Sequence, residues 1–215
     1  MIRSIRTFLA AGCCTALLAS APALAHEPQG SAGATPAPVI EGAAGIQAEA
    51  IANMMDAGDK IIELAGAVPP GKWGWRPGKG VRSVGEVYMH VVQGNYFLCS
   101  FLGATPPMSK EDLQKLETAP QTPASMVKHL QDSYSFASKC IAELSASDLE
   151  APVTFFGKPM TKRAVLLLLA AHSHEHLGQS IAYARMNKVV PPWTAREQAM
   201  SKQKAAVVGH EGHAH

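Results

Sequence analysis

Three histidines within five residues, His172, His174 and His176, are the side chains of this sequence best suited to metal chemistry. They follow a run of five apolar residues, 165–169, so we expect them inside a buried or half-buried helix. At about 3.6 residues per turn, His172 and His176 share one helix face, whereas His174 points to roughly the other side. The spacing therefore predicts a two-histidine pair, which is half of a metal site, and a third histidine that faces elsewhere.

His90 is the candidate for the other half of such a site. It lies in an apolar helical pattern, where a lone histidine is more often a hydrogen-bonded core residue than a ligand. Helix bundles build metal sites from facing helices, so the pair at His172 and His176 favours the ligand interpretation. Three imidazoles from two helices leave a fourth position open, as in catalytic zinc sites. Gly94, four residues after His90, would leave room above a metal.

Three further polar side chains on the same two predicted helices are candidates for a part in the site. Glu86 shares a face with His90 and is an outer-shell acid, a fourth ligand or simply a helix-capping residue. Cys99 is out of phase with His90 and is a poor candidate for a ligand. Gln179 follows His176 by three residues, so it either hydrogen-bonds into the site or is an ordinary polar residue at a helix interface.

The elements that must position these residues are helices. Four long helical patterns occur without convincing strand alternation, which predicts an all-α four-helix bundle with long connections. A short helix at 110–117 and a short extended piece within 145–159 are expected between them, and Val189–Trp193 is expected to end the last helix. The four predicted helices span 45–67, 83–102, 122 or 123 to about 144, and 161–187.

The ends of the chain differ in composition from the bundle at residues 45–200. Residues 1–25 have the layout of a secretory signal peptide, with arginines, an apolar run and Ala23-Leu24-Ala25 as cleavage site. Pro22 and these small residues argue against a membrane anchor. Residues 26–44 are predicted to be a flexible leader and residues 201–215 a His-rich flexible tail. Cleavage near Ala25 would place the protein in the periplasm or outside the cell.

The charge balance excludes two classes of partner. The chain has 19 Lys+Arg and 17 Asp+Glu, and cleavage would remove Arg3 and Arg6, which leaves a near-neutral chain. No basic stripe indicates nucleic-acid binding, and no polybasic patch or remaining apolar segment indicates stable membrane insertion. A homodimer and a small-molecule substrate are both left open. Cys99 and Cys140 could form a disulfide in an oxidising compartment or remain buried free thiols.

Four short pieces of the sequence together carry a family resemblance. They are Trp75-Arg76-Pro77, Ser83–Glu86 before His90, His172–Gln179, and Ala184–Asn187 before Pro191-Pro192. With these pieces the sequence resembles the DinB superfamily of metal-binding four-helix bundles, the group that includes the bacillithiol transferases. The resemblance covers roughly 45–193 and implies metal ligands at His90, His172 and His176, with no ligand at His174. Leu177 stands where arginine is common in the family, which bears on what enters the site.

These observations lead to one functional prediction and two alternatives. The prediction is an exported DinB-like protein that binds a divalent metal through three histidines and acts as a metal-dependent thiol S-transferase or hydrolase. Zinc or nickel suits imidazole ligands best, and iron or manganese is compatible with them. The first alternative is a non-enzymatic metal-binding or stress-related envelope protein. The second is a plain bundle whose core histidines only form hydrogen bonds.

Overall fold

The computed structural model of the protein describes residues 45–211, with side chains as far as residue 205. The predicted signal peptide (1–25) and leader (26–44) lie outside the described residues, as do residues 212–215. Within the described residues, no helix is both long enough and apolar enough to cross a membrane.

Four long helices form the bundle, and this confirms the predicted all-α fold. They are α1 at Ile46–Ala67, α2 at Val84–Leu102, α4 at Pro123–Ala142 and α6 at Lys162–Met186. The helix α1 packs on α4 and α6, and α2 packs on α4 and α6, so the two histidine-bearing helices α2 and α6 are in direct contact. The core between the four helices is built from large apolar side chains that are almost fully buried, such as Met54, Leu130 and Leu166.

Local sequence signals define the ends of α2, the helix that carries His90. The Ser83 hydroxyl accepts a hydrogen bond from the Glu86 backbone N–H, and the Glu86 carboxylate accepts one from the Ser83 N–H. This reciprocal pair satisfies two backbone groups that a helix start leaves without partners. At the other end, Gly103 has φ of 107°, a left-handed conformation that glycine adopts without steric cost. The helix is therefore fixed at the boundaries that the sequence predicts.

Short elements connect the bundle helices. A single 3-10 turn at Pro70–Lys72 follows α1, the predicted short helix is confirmed as α3 at Lys110–Leu116, and α5 at Ala146–Glu150 was not predicted. The expected extended piece is the first half of a two-stranded antiparallel hairpin, β1 at Pro152–Phe155 and β2 at Lys158–Thr161. Its strands have only four residues each, too few for a clear alternation in the sequence.

A further helix, α7 at Pro192–Glu211, differs from the sequence prediction. The sequence composition predicts a flexible tail from residue 201, and the prolines after Val190 indicate the end of α6; the structure instead continues as a helix through residue 211. Proline is favoured in the first turn of a helix, where its missing N–H costs no hydrogen bond, and Pro192 occupies that position. The Arg196 guanidinium donates two hydrogen bonds to the Glu63 carboxylate, which joins α7 to α1.

The two cysteines of the bundle are buried free thiols in this structure, the second of the two alternatives considered from the sequence. Cys99 lies on α2 and Cys140 on α4. The Cys140 Sγ atom lies 3.9 Å from the carbonyl oxygen of Cys99, so the two residues are close neighbours across the helix interface. Buried thiols of this kind pack as small apolar side chains.

Candidate metal centre

The bundle brings together His90 from α2 and His172 and His176 from α6. One ring nitrogen from each residue lies within 4.8 Å of one ring nitrogen of each of the others. His176 is buried, and the other two side chains are partly buried. The three predicted ligand candidates therefore converge in space, although they come from two helices that are far apart in the sequence.

The spacing of these rings fits a shared ion. The Nε2 atoms of His90 and His172 are 3.4 Å apart. Two nitrogens that each lie about 2.0–2.1 Å from a tetrahedral zinc ion are separated by about 3.3 Å. The observed distance therefore matches two ligands of one metal. The ring centroids of His172 and His176 are 4.5 Å apart with an interplanar angle of 73°, so these two rings are in contact as well.

Gly94 makes room for the His172 ring. A Cβ atom built on Gly94 would lie 2.2 Å from His172 Cε1 and 2.9 Å from His172 Nε2. No side chain fits at such distances, since carbon atoms in contact are about 3.5–4.0 Å apart. The imidazole thus lies directly against the α2 backbone. The space above Gly94, predicted to leave room over a metal, is occupied by the His172 ring itself. Gly178, in contrast, is exposed and has open space around its Cα atom, so it does not shape the site.

Hydrogen bonds on α6 hold the His176 ring in one orientation. The Gln179 side-chain carbonyl oxygen lies 2.8 Å from His176 Nδ1, and the Gln179 amide donates to the Tyr183 hydroxyl at 3.1 Å. The carbonyl requires a proton on Nδ1, which leaves the Nε2 lone pair of His176 free for a metal. Trp75 packs edge-on against Tyr183 with centroids 5.4 Å apart. Gln179 therefore bonds to the site, the first of its two predicted roles.

Glu117, and not Glu86, is the acid closest to His90. Its Oε2 atom lies 3.7 Å from His90 Nδ1, and its Oε1 atom accepts a hydrogen bond from Arg82. The Glu86 carboxylate caps α2 and pairs with Arg76 at 2.8 Å, so the capping interpretation of Glu86 is correct. Sequence spacing gives no signal for Glu117, because it follows α3 and approaches His90 only through the tertiary fold.

The three-histidine environment favours neutral imidazole. Burial, followed by the charges of His176, His90 and Arg82, lowers the pKa of His172 to about 3. Burial also lowers the pKa of His90, and Arg82 and His176 act in the same direction. Only the neutral ring has a lone pair for a metal, so these shifts keep protons from competing with an ion at physiological pH.

His174 lies apart from this cluster, as its helical phase predicts. Its Nε2 atom is 3.0 Å from the backbone carbonyl oxygen of Asn53 on α1, and its side chain is exposed. The ring therefore links α6 to α1 and faces away from the three converging histidines.

The comparisons with known proteins agree with this fold. The sequence matches the DinB superfamily over residues 55–180, more than half of the chain, so the protein belongs to that superfamily. A DinB-like protein from Bacillus subtilis has a similar structure, with a TM-score of 0.53, 17% identity, and coverage of 66% of this chain and 93% of its own. A DinB-like protein from Bacillus cereus ATCC 10987 is also similar, with a TM-score of 0.57, 17% identity, and coverage of 66% of this chain and 94% of its own. A search among curated proteins finds no significant match.

Proposed function

We propose that this DinB superfamily protein binds one divalent metal ion through His90, His172 and His176 and acts there as a metal-dependent transferase or hydrolase. The observation that carries the proposal is the 3.4 Å separation of the His90 and His172 Nε2 atoms, together with the convergence of one ring nitrogen from each of the three histidines within 4.8 Å. Zinc or nickel is the expected metal on the basis of imidazole ligation, and iron or manganese is compatible with it.

The donor set supports a reactive site over a structural one. Structural zinc sites use four protein ligands, whereas catalytic sites use three and keep one position open. Among the described residues, the group of potential ligands around His90 has three members and contains no cysteine or carboxylate. A bound divalent ion would supply Lewis acidity and lower the pKa of a thiol or water that joins it. Gln179 bonds to the outer nitrogen of His176, and the Glu117 carboxylate lies 3.7 Å from the outer nitrogen of His90, so both groups leave the inner ring nitrogens available.

The signal-peptide layout of residues 1–25 supports a periplasmic or secreted location as part of this proposal. Low-molecular-weight thiols are mainly cytosolic, so export favours hydrolysis over thiol transfer. For export, the mature N-terminus is sequenced from the cell envelope and from the medium; a new terminus near His26 supports the proposal, and a retained Met1 contradicts it.

Metal analysis tests the site itself. The chain from His26 onward is purified with His210, His213 and His215 changed to alanine, so that tail residues do not bind metal. We expect about one equivalent of metal by elemental analysis, lost in His90→Ala and His176→Ala. His174→Ala is the matched control, because it removes an imidazole from the same helix without touching the cluster, and it should keep the metal. No metal in the parent after incubation with zinc and nickel salts would refute the proposal.

Turnover separates an enzyme from a metal-binding envelope protein. The metal-loaded protein is assayed for hydrolysis of 4-nitrophenyl acetate and for transfer of cysteine onto 1-chloro-2,4-dinitrobenzene. Metal-dependent turnover that His176→Ala abolishes identifies a hydrolase or a transferase, respectively. Stoichiometric metal without turnover of either compound, or of a wider ester and thiol-acceptor panel, would favour the non-enzymatic alternative.

A further inference from the structure

A cavity of about 440 Å³ lies beside the histidine cluster, with His90 and His172 in its wall. Small-molecule sites commonly have volumes of about 300–1,000 Å³ and mostly apolar walls. This cavity meets both conditions and reaches the two helices that carry the histidines. Its apolar wall is formed by Phe97, Leu98, Leu113, Phe155, Phe156 and Leu168.

Three aromatic rings form one side of this cavity. Phe97 comes from α2, about one turn beyond Gly94. Phe155 is the last residue of β1, and Phe156 is the first residue of the turn that follows it. The ring centroids of Phe155 and Phe156 are 4.6 Å apart, and those of Phe97 and Phe156 are 5.9 Å apart. Phe156 is 78% exposed and Phe97 is 39% exposed. Water contact with clustered aromatic side chains is unfavourable, and such patches commonly mark binding sites.

The backbone at Phe156 gives an independent indication of ligand binding. Phe156 and Gly157 connect β1 to β2, with φ values of 46° and 76°. Turns of this kind strongly prefer asparagine, aspartate or glycine, because a bulky side chain is strained at positive φ. An aromatic residue at this position is strained, and its contacts with Phe155 and Phe97 still leave most of its ring exposed to water. Strain of this type concentrates at ligand and active sites.

The charge around the cavity indicates which ligands it would accept, and this step rests on the proposed metal site. Three neutral imidazoles would leave the charge of a divalent ion uncompensated, so an anionic group is favoured next to it. Lys110 also lines the cavity and forms no ion pair within the described part of the chain. The nearby Glu117 carboxylate is already paired with Arg82.

We infer that the cavity binds a small molecule with an aromatic body and one anionic group, the body against Phe97 and Phe156 and the anionic group toward the histidines. A benzene-sized ligand fills an apolar cavity of about 150 Å³, so this cavity accommodates a ring with a short chain of several atoms. The ligand therefore spans the distance from the aromatic wall to the metal position.

Calorimetric titration of three probes tests both halves of this inference. The chain from His26 onward, with His210, His213 and His215 again changed to alanine, is loaded with zinc and titrated with three compounds. 4-Phenylbutanoate has both the aromatic body and the anion, 4-phenylbutan-1-ol has only the body, and acetate has only the anion. We expect 4-phenylbutanoate to bind at least tenfold more tightly than acetate, since burial of an aromatic ring and methylene groups supplies roughly that factor or more. 4-Phenylbutan-1-ol should bind more weakly than 4-phenylbutanoate, by at least threefold.

Variants of the aromatic wall locate the binding. Phe156→Ser should weaken 4-phenylbutanoate binding about threefold to tenfold, and Phe97→Ala, on the same aromatic side of the cavity, should weaken it by a similar factor. The matched control is Met186→Ser on α6, because Met186 is 61% exposed but does not line the cavity. Far-UV circular dichroism checks that each variant is folded. Equal affinity of all these variants for 4-phenylbutanoate would overturn the inference.

The metal content of every sample separates failure of this inference from failure of the proposed function. If zinc binds but acetate and 4-phenylbutanoate have equal affinity, the metal site stands and the cavity inference is wrong. If no zinc binds, the proposed function is wrong. The cavity is then tested by 4-phenylbutan-1-ol on the metal-free protein, where a loss of binding in Phe156→Ser supports the aromatic half and no binding refutes it.

Discussion

Replacing Gly94 with alanine would separate the geometry of the histidine cluster from the stability of α2. In most helix interiors this change stabilises the protein, by roughly 0.5–1 kcal/mol, because alanine loses less backbone entropy on folding than glycine. At Gly94 the new methyl group would lie 2.2 Å from His172 Cε1. The ring is the end of a side chain and can rotate away, so we expect the fold to survive and the cluster to be lost.

The size of the effect follows from the distances. A carbon–carbon contact of about 3.5–4.0 Å requires the His172 ring to retreat by more than about 1 Å. Metal–ligand distances are tolerated only within about 0.2 Å of their ordinary values. His172 therefore cannot remain a ligand. Loss of an outer hydrogen-bond partner alone typically weakens metal binding by about 10–100-fold, so loss of a ligand should cost about 100-fold or more.

Competition with a chromogenic chelator measures this loss, and thermal unfolding of the metal-free protein measures stability. Gly178→Ala is the matched control, because Gly178 is also helical but is exposed and has nothing within 4 Å of an added Cβ atom. It should leave zinc affinity unchanged and raise the melting temperature by about 1–4 °C. In Gly94→Ala the melting temperature of the metal-free protein should change by no more than about 4 °C in either direction.

One result would refute the reasoning directly. If Gly94→Ala binds zinc with an affinity within about threefold of the parent, then His172 either is not a ligand or lies elsewhere when the metal is bound. If Gly94→Ala does not fold, the His172 ring has no room to move. The zinc affinity of His172→Ala, which introduces no crowding, then tests whether His172 is a ligand.

Three further predictions concern the groups around the site. Gln179→Leu removes the Nδ1 partner of His176 and should weaken zinc binding about 10–100-fold without loss of the fold, whereas unchanged affinity would contradict the orienting role. Glu117→Gln should weaken zinc binding about tenfold, because the carboxylate close to His90 Nδ1 increases the basicity of that ligand; an increase in affinity would argue against it. The third prediction concerns acid stability. A backbone hydrogen bond from Ser83, with a further contribution from Arg76, lowers the pKa of Glu86, so its stabilising effect is present above the ordinary pKa and is lost as the pH falls through the lowered value. In urea unfolding Glu86→Gln should be less stable than the parent at about pH 7 and equally stable below about pH 3; a difference that persists in acid would exclude this linkage.

The main helices and their capped boundaries were predictable because the signals are local. The reciprocal hydrogen bonds of Ser83 and Glu86, the left-handed Gly103 and the apolar periodicity all act within a few residues. The exclusion of His174 was predictable for the same reason, since helical phase depends only on spacing along one helix. The miss at α7 arose from a signal with two meanings, because proline ends one helix and favours the start of the next.

The sequence by itself thus determined the bundle helices, the pairing of His172 with His176 and the candidacy of His90. Only the tertiary structure decided that the Nε2 atoms of His90 on α2 and His172 on α6 lie 3.4 Å apart. That distance depends on the close contact of the His172 ring with the α2 backbone at Gly94. It also decided that Glu117 is the acid near His90 and that Phe156 stands beside the cavity. Contacts between distant elements depend on the packing of the whole core, which spacing along one helix does not encode.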